Sequence, residues 1–179
     1  MIPSGLTDSN LEFFAHGREL FSLQNGNRYH YPDMPAEHLE FLQQTLELDT
    51  TGLETLNDVP EEDKIRVYGI CRFGGCNATP DSSDGECIDK SEYFDCGIRG
   101  RCQFEGKRCK ELSTVNGILS FRQLQIMILV ASGHINKEIA DRLHISENTV
   151  ANHLANIHQK IGGRTRVDIT AFVKERSIA

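Results

Sequence analysis

Long apolar runs are missing from these 179 residues: none approaches the roughly 18–20 residues of a membrane span, so no membrane partner is expected. The opening stretch, MIPSGLTDSNLEFF, has neither a basic flank nor an apolar segment, which argues against a secretory leader and predicts an intracellular, cytoplasmic location. Neither a P-loop nor a Gly-x-Gly-x-x-Gly motif occurs, and no nucleophile–base constellation stands out, so catalysis is not expected. No internal repeat is visible. Basic residues are scarce in the first part of the chain: residues 1–70 carry 4 Lys and Arg against 13 Asp and Glu. Residues 71–110 carry 7 against 7, and residues 119–179 carry 8 against 5. The net charge of −7 therefore hides a split, with an acidic end that disfavours phosphate and a basic end that favours it.

Regular patterning is weak over residues 1–70, an acidic segment expected to be mostly helical. Asp8 or Ser9 suits the cap of a helix carrying Leu11, Phe14, Leu20 and Phe21. The stretch NGNRYHYPDMP breaks it, and Pro35 suits the first turn of a second helix presenting Leu39, Leu42 and Leu46 on one face. Ile65–Ile70, short and β-branched, reads as a strand.

Cysteine is absent before residue 71 and after residue 109, yet six lie between, spaced Cys71-x4-Cys76-x10-Cys87-x8-Cys96-x5-Cys102-x6-Cys109. Residues 71–110 hold too few aliphatic side chains for an ordinary core. In an intracellular chain such a segment reads as a metal-binding module, with zinc the expected ion. No Cys-x2-Cys pair is present. The close set Cys96, Cys102 and Cys109 is expected to ligate, Gly97, Gly100 and Gly106 permitting tight turns, with a fourth ligand from Cys76, Cys71 or Cys87 in that order. His30 and His38 are outside candidates. An iron–sulfur cluster or redox-sensing thiols is the alternative, and free cysteines or disulfides a third. Residues 81–86, the run DSSDGE, are expected to form a loop, and residues 111–118 a linker.

From Leu119 the helical period returns. Ser120 with Gln123 forms a capping box for a helix ending near Gly133. Asn136 suits the cap of a short second helix with Ile139, Ala140 and Leu143 facing inward. Ser146 suits the cap of a third, in which Val150, Leu154, Ile157 and Ile161 recur at spacings of four, three and four. Gly162-Gly163 closes it, and Thr165 suits the cap of a fourth through Val173. A short helix, a tight turn at His144-Ile145 and a capped longer helix make a helix-turn-helix arrangement, whose second helix enters the DNA major groove N-terminus first.

The stretch NKEIADRLHISENTVANHLANIHQKIGGRTRVD resembles the LuxR-type (GerE-like) helix-turn-helix domain of bacterial regulators, with Gly133, NKEIA, IS-x-x-TV, HL and K-I-G in register. The resemblance covers about a third of the chain. Ser120-Phe121-Arg122-Gln123 stands where the family usually has Thr-Pro-Arg-Glu. The resemblance implies a mainly α chain: a four-helix DNA-binding domain at 119–179 after a helical, Cys-rich small module. It implies phosphate contacts from Lys137, Thr149 and Lys160, and base-edge contacts from Asn148, Ala151, Asn152 and Asn156. His153 either packs or meets phosphate. The family usually has Lys or Arg where this chain has Ala151, which predicts weaker intrinsic affinity and more reliance on dimerisation. The fourth helix commonly supplies that dimer interface, here along Val167, Ala171 and Lys174.

The expected function is therefore a sequence-specific transcription regulator, dimeric on double-stranded DNA, with RNA polymerase or another regulator as a further partner. The alternative is a protein-binding adaptor that the C-terminal module tethers to DNA. Residues 1–118 are long enough for a phosphorylated receiver domain but lack its alternation of strands and helices.

Overall fold

The computed structural model describes residues 2–87, 93–109, 111–176 and 178. Contacts divide the chain into two compact units, Met1–Lys110 and Glu111–Ala179. The described residues are mainly helical, with seven helices and seven short strands.

The first unit opens with strands rather than the expected helix. β1 (Glu12–His16), β2 (Glu19–Gln24) and β3 (Asn27–His30) form an antiparallel sheet in the order β1-β2-β3. Phe13 faces Ser22 and Ala15 faces Leu20 across the first pair. Residues two apart share a face, so Leu11 and Phe13 turn inward with Leu20 and Ser22, while Phe14 and Phe21 stack on the other face with centroids 5.2 Å apart. Asn25 and Gly26 link β2 to β3 with φ of 51° and 75°, the left-handed pair that a two-residue hairpin turn requires. Positive φ at both positions matches the twist of the flanking strands, so the Asn-Gly turn overrides the helical reading of the preceding segment.

α1 (Ala36–Leu48) starts after Pro35 and buries Leu42 and Leu46. α2 (Thr50–Glu54) is capped by Asp49, whose carboxylate accepts from the Gly52 amide at 2.8 Å. α3 (Glu61–Phe73) takes in the segment Ile65–Ile70 that was expected as a strand. Its cause is at the N-terminus: Pro60 precedes Glu61, Glu62 and Asp63, and three acids in the first turn suit the positive end of the helix dipole. Leu11, Phe13, Leu20, Met34, Leu42, Leu46, Leu56, Tyr68, Ile70 and Phe73 form the core between the sheet and the helices.

The segment after α3 is stitched onto β1. Leu11 and Ser82 exchange backbone hydrogen bonds of 3.0 and 3.1 Å, the buried Asp81 carboxylate accepts from the Phe13 amide at 2.6 Å, and the buried Glu12 carboxylate accepts from the Asn77 amide at 2.7 Å. Within it β4 (Ser82–Ser83) and β5 (Glu86–Cys87) make a small hairpin where a loop was expected, turning at Asp84-Gly85.

In the second unit, residues 111–118 are a hairpin rather than a plain linker: β6 (Ser113–Thr114) pairs with β7 (Gly117–Ile118). Four helices follow, α4 (Phe121–Ala131), α5 (Asn136–Leu143), α6 (Glu147–Ile161) and α7 (Arg166–Glu175). The capping box of Ser120 and Gln123 starts α4, and that of Thr165 and Asp168 starts α7. Asn136 is not the cap of α5 but its first residue. Ile135 holds the cap position, and Glu138 reaches back to accept from the Ile135 amide at 3.0 Å. Leu124, Ile126, Met127 and Val130 of α4 pack in a core with Ile139, Val150, Leu154, Ile157, Ile169 and Val173.

Candidate nucleic-acid interface and cysteine cluster

α5 and α6 are joined by a three-residue turn. His144 takes the left-handed conformation (φ 52°, ψ 49°) and ends α5, and the Ile145 amide donates back to the Ala140 carbonyl at 3.0 Å. Ser146 then caps α6, its hydroxyl accepting from the Thr149 amide at 3.0 Å. This turn sets the two helices as a helix-turn-helix pair. Arg166, at the start of α7, ties down the start of α5, donating to the Asn136 side-chain oxygen at 2.9 Å and to the His134 carbonyl.

Helix α6 is two-faced. Val150, Leu154 and Ile157 are buried, whereas Asn148, Ala151, Asn152 and Asn156 are exposed. Asn148, Asn152, Asn156 and Gln159 recur at steps of four, four and three, so their amides lie along one stripe of the helix. Gln159 extends the row expected from the sequence, and its spacing of three from Asn156 marks it. Each amide offers a donor and an acceptor side by side, the pattern that reads adenine in the major groove. No Lys or Arg lies on α6 before Lys160. The positive charge sits elsewhere, beginning with Lys137, exposed in the first turn of α5. Thr149 is half-buried, its hydroxyl 2.8 Å from that of Ser146, and His153 is half-buried too.

Lys160 is tied inside its own unit. Its ammonium donates to the Ile118 carbonyl at 2.6 Å and to the Gln123 side-chain oxygen at 2.9 Å. The β6–β7 hairpin meets the same helix end: the Asn116 amide and Thr114 hydroxyl donate to the Lys160 carbonyl at 3.1 and 2.9 Å, and the Asn116 side chain donates to the Gln159 carbonyl at 2.9 Å. The last carbonyls of a helix have no partners within it, and here the hairpin supplies them. On α7, Ile169 and Val173 face the core while Val167, Ala171 and Lys174 are exposed.

The cysteines fall into three classes of exposure. Cys76 and Cys87 are exposed; Cys71, Cys96 and Cys102 are half-buried; and Cys109 is buried. Cys71, near the end of α3, lies within electrostatic reach of Cys96, Cys102, Cys109 and the Arg108 guanidinium. Burial pushes its thiol up to about 12, against the lowering pull of Arg108. Burial also raises Cys109, against Arg99. Among the described residues no three His, Cys, Asp or Glu side chains stand at metal-coordinating distance. The outside candidates are engaged otherwise: His30 pairs with Glu19, and both ring nitrogens of His38 are bonded within the core.

Residues 117–173 match the family described as bacterial regulatory proteins, luxR family. The chain is 36% identical over 70 residues to the Fimbriae Z protein of Escherichia coli, covering 39% of this chain and 33% of that one. It is 36% identical over 76 residues to the transcriptional regulatory protein LnrK of Bacillus subtilis, covering 38% and 34%. It is 33% identical over 88 residues to the CsgBAC operon transcriptional regulatory protein of Escherichia coli, covering 44% and 41%. The matching part spans well under half of each of these relatives. No solved structure matches the chain.

Proposed function

With residues 117–173 a helix-turn-helix domain of the luxR family, we propose that this protein is a sequence-specific transcription regulator that sets α6 in the major groove of double-stranded DNA. The observation that carries this reading is the exposed amide row of Asn148, Asn152 and Asn156 on a helix whose other face is locked into a core. Lys137 and the helix ends hold phosphate and fix the register, and the amides read bases. Thr149 contributes to phosphate through its hydroxyl, and Ala151 and His153 contribute shape. Lys160 acts by holding the end of α6 rather than by meeting DNA.

The protein acts as a homodimer through the exposed side of α7, where Val167 is 74% exposed, an apolar side chain without cover in the single chain. It works in the cytoplasm with RNA polymerase or another regulator as partner. The Cys-rich part stabilises or senses, through zinc or, alternatively, an iron–sulfur cluster, and no catalytic activity is assigned.

The test is selection of bound sequences from a randomised duplex library, followed by binding titrations over a salt series. Asn152→Ala is expected to change the selected sequence, and Lys137→Ala to weaken all sequences alike. A wild-type protein that selects no sequence would leave the adaptor reading standing. Equal loss on every duplex for Asn152→Ala would remove the base-reading role.

A further inference from the structure

Between Asn148 and Asn156 the exposed side chains of α6 are three amides and two methyls: Asn148, Asn152 and Asn156, with Ala151 and Ala155. We propose, resting on the DNA reading above, that this face selects a short run of A·T pairs, the asparagines on adenine and the alanine methyls against thymine.

The helix period gathers the five residues. Each residue turns the helix by about 100°, so the five fall within an arc of about 140°. The buried Val150, Leu154 and Ile157 lie opposite. From Asn148 to Asn156 the axis runs about 12 Å, roughly three to four base-pair steps. The amides of this arc are uncommitted within the protein. The other two asparagines of the unit are engaged: Asn116 donates to the Gln159 carbonyl, and Asn136 accepts from Arg166. Among the described residues no side-chain bond holds Asn148, Asn152 or Asn156. Beyond Asn156 the β6–β7 hairpin closes on the Gln159 and Lys160 carbonyls, and the run ends there.

The donors and acceptors of the major groove decide which bases fit. Adenine sets the N7 acceptor beside the N6 donor, and one carboxamide matches both with its NH2 and its oxygen. Guanine sets two acceptors side by side, N7 and O6. An amide laid against them turns its own oxygen toward one of them, whereas a guanidinium or ammonium fits both. No Lys or Arg lies on this arc. Thymine carries a C5-methyl in the groove, and a small apolar side chain packs on it. Ala151 and Ala155 thus favour the strand opposite the adenines. Glu147, the one acid of α6, is exposed one turn before Ala151, and its carboxylate can only accept. It meets an amino group of adenine or cytosine, so a C·G pair fits at this flank and not within the run.

The experiment selects duplexes bound by full-length protein from a randomised library, then titrates the selected duplex with altered bases. A half-site of roughly three to four consecutive A·T pairs is expected. Changing adenine to 7-deazaadenine removes only N7 and is expected to weaken binding about tenfold at each amide contact. Changing thymine to uracil removes only the methyl and is expected to cost about fourfold at each alanine contact. Ala151→Arg, at an exposed helix position, is expected to keep the circular dichroism of wild type and to turn the pair it faces to G·C. An Ala151→Arg protein that selects the wild-type sequence would overturn the alanine contacts. An A·T site indifferent to both altered bases would be read through duplex shape, and a site centred on G·C pairs would not be read by amides. Either would overturn this inference and leave the DNA reading standing. Wild type that selects no sequence would overturn both.

Discussion

Lys137 and Lys160 carry the same charge, yet their ammonium groups have different surroundings. Lys137 meets solvent, whereas Lys160 is held by Ile118 and Gln123. Lys160→Met should therefore lower the stability of the C-terminal unit by about 1–3 kcal/mol, read as a lower Tm. Lys137→Ala should leave Tm unchanged and reduce the salt dependence of DNA binding by about one phosphate contact. Equal Tm for the two variants would show that the Lys160 bonds contribute nothing. The family pattern placed both at phosphate, because position in a motif does not say whether a long side chain finds partners within the protein first. His38 carries a second residue-scale prediction. Gln24 donates its amide to the Ser9 carbonyl at 3.0 Å, so its oxygen faces His38 and accepts from Nε2 at 3.0 Å. Nδ1 then accepts from the Ser22 hydroxyl at 2.9 Å, which requires a neutral ring. Burial lowers its pKa from 6.5, against the raising effect of Glu37. The unfolded chain thus binds the proton first as pH falls. The stability from His38 is full above 6.5 and is lost as pH drops through 6.5 toward the folded-state value. Urea midpoints should fall over that window, and His38→Gln should flatten the fall; an unchanged slope would refute the neutral-ring assignment.

At the level of elements, the β6–β7 hairpin ends helix α6 from outside. Asn116→Ala combined with Thr114→Val removes the donors to Lys160 and Gln159, apart from the Asn116 backbone amide. The pair should cost about 1–2 kcal/mol and speed amide exchange in the last turn of α6 more than in its first. Uniform exchange along the helix would mean that the hairpin does not brace it. Ile157, fully buried on the inner face, gives a larger effect: Ile157→Ala should cost about 2–5 kcal/mol through lost burial and the cavity left behind. The helices α4 to α7 were legible because local chemistry and core agree there, with Ser120, Ser146 and Thr165 each marking a true start. The sheet at residues 12–30 is hidden in the sequence, because Leu11, Phe14 and Phe21 mimic a helical spacing and Asn25-Gly26, a hairpin signal, sits within a stretch rich in breakers. Residues 65–70 show the converse, a β-branched run absorbed into a helix that starts four residues earlier.

At the scale of the whole molecule, the acidic and basic parts of the chain fall in different compact units. If the Cys-rich segment holds zinc as proposed, a chelator should lower the melting of the Met1–Lys110 unit and leave that of Glu111–Ala179 unchanged. Scanning calorimetry with and without chelator checks this, and a shift in both transitions would show that the units melt together. The neighbours of Cys71 were not legible, since spacing ranks residues along the chain whereas the α3 that carries Cys71 is set by packing against the sheet. The bare amide face of α6 has a consequence for target search. On the proposed reading of DNA, a helix without Lys or Arg before its last turn leaves the phosphate contacts to Lys137 and the helix ends, and grip on random duplex comes almost wholly from neutralised phosphates. Encounters with non-target DNA would then be brief, and the search for the site would run mainly through repeated three-dimensional collisions.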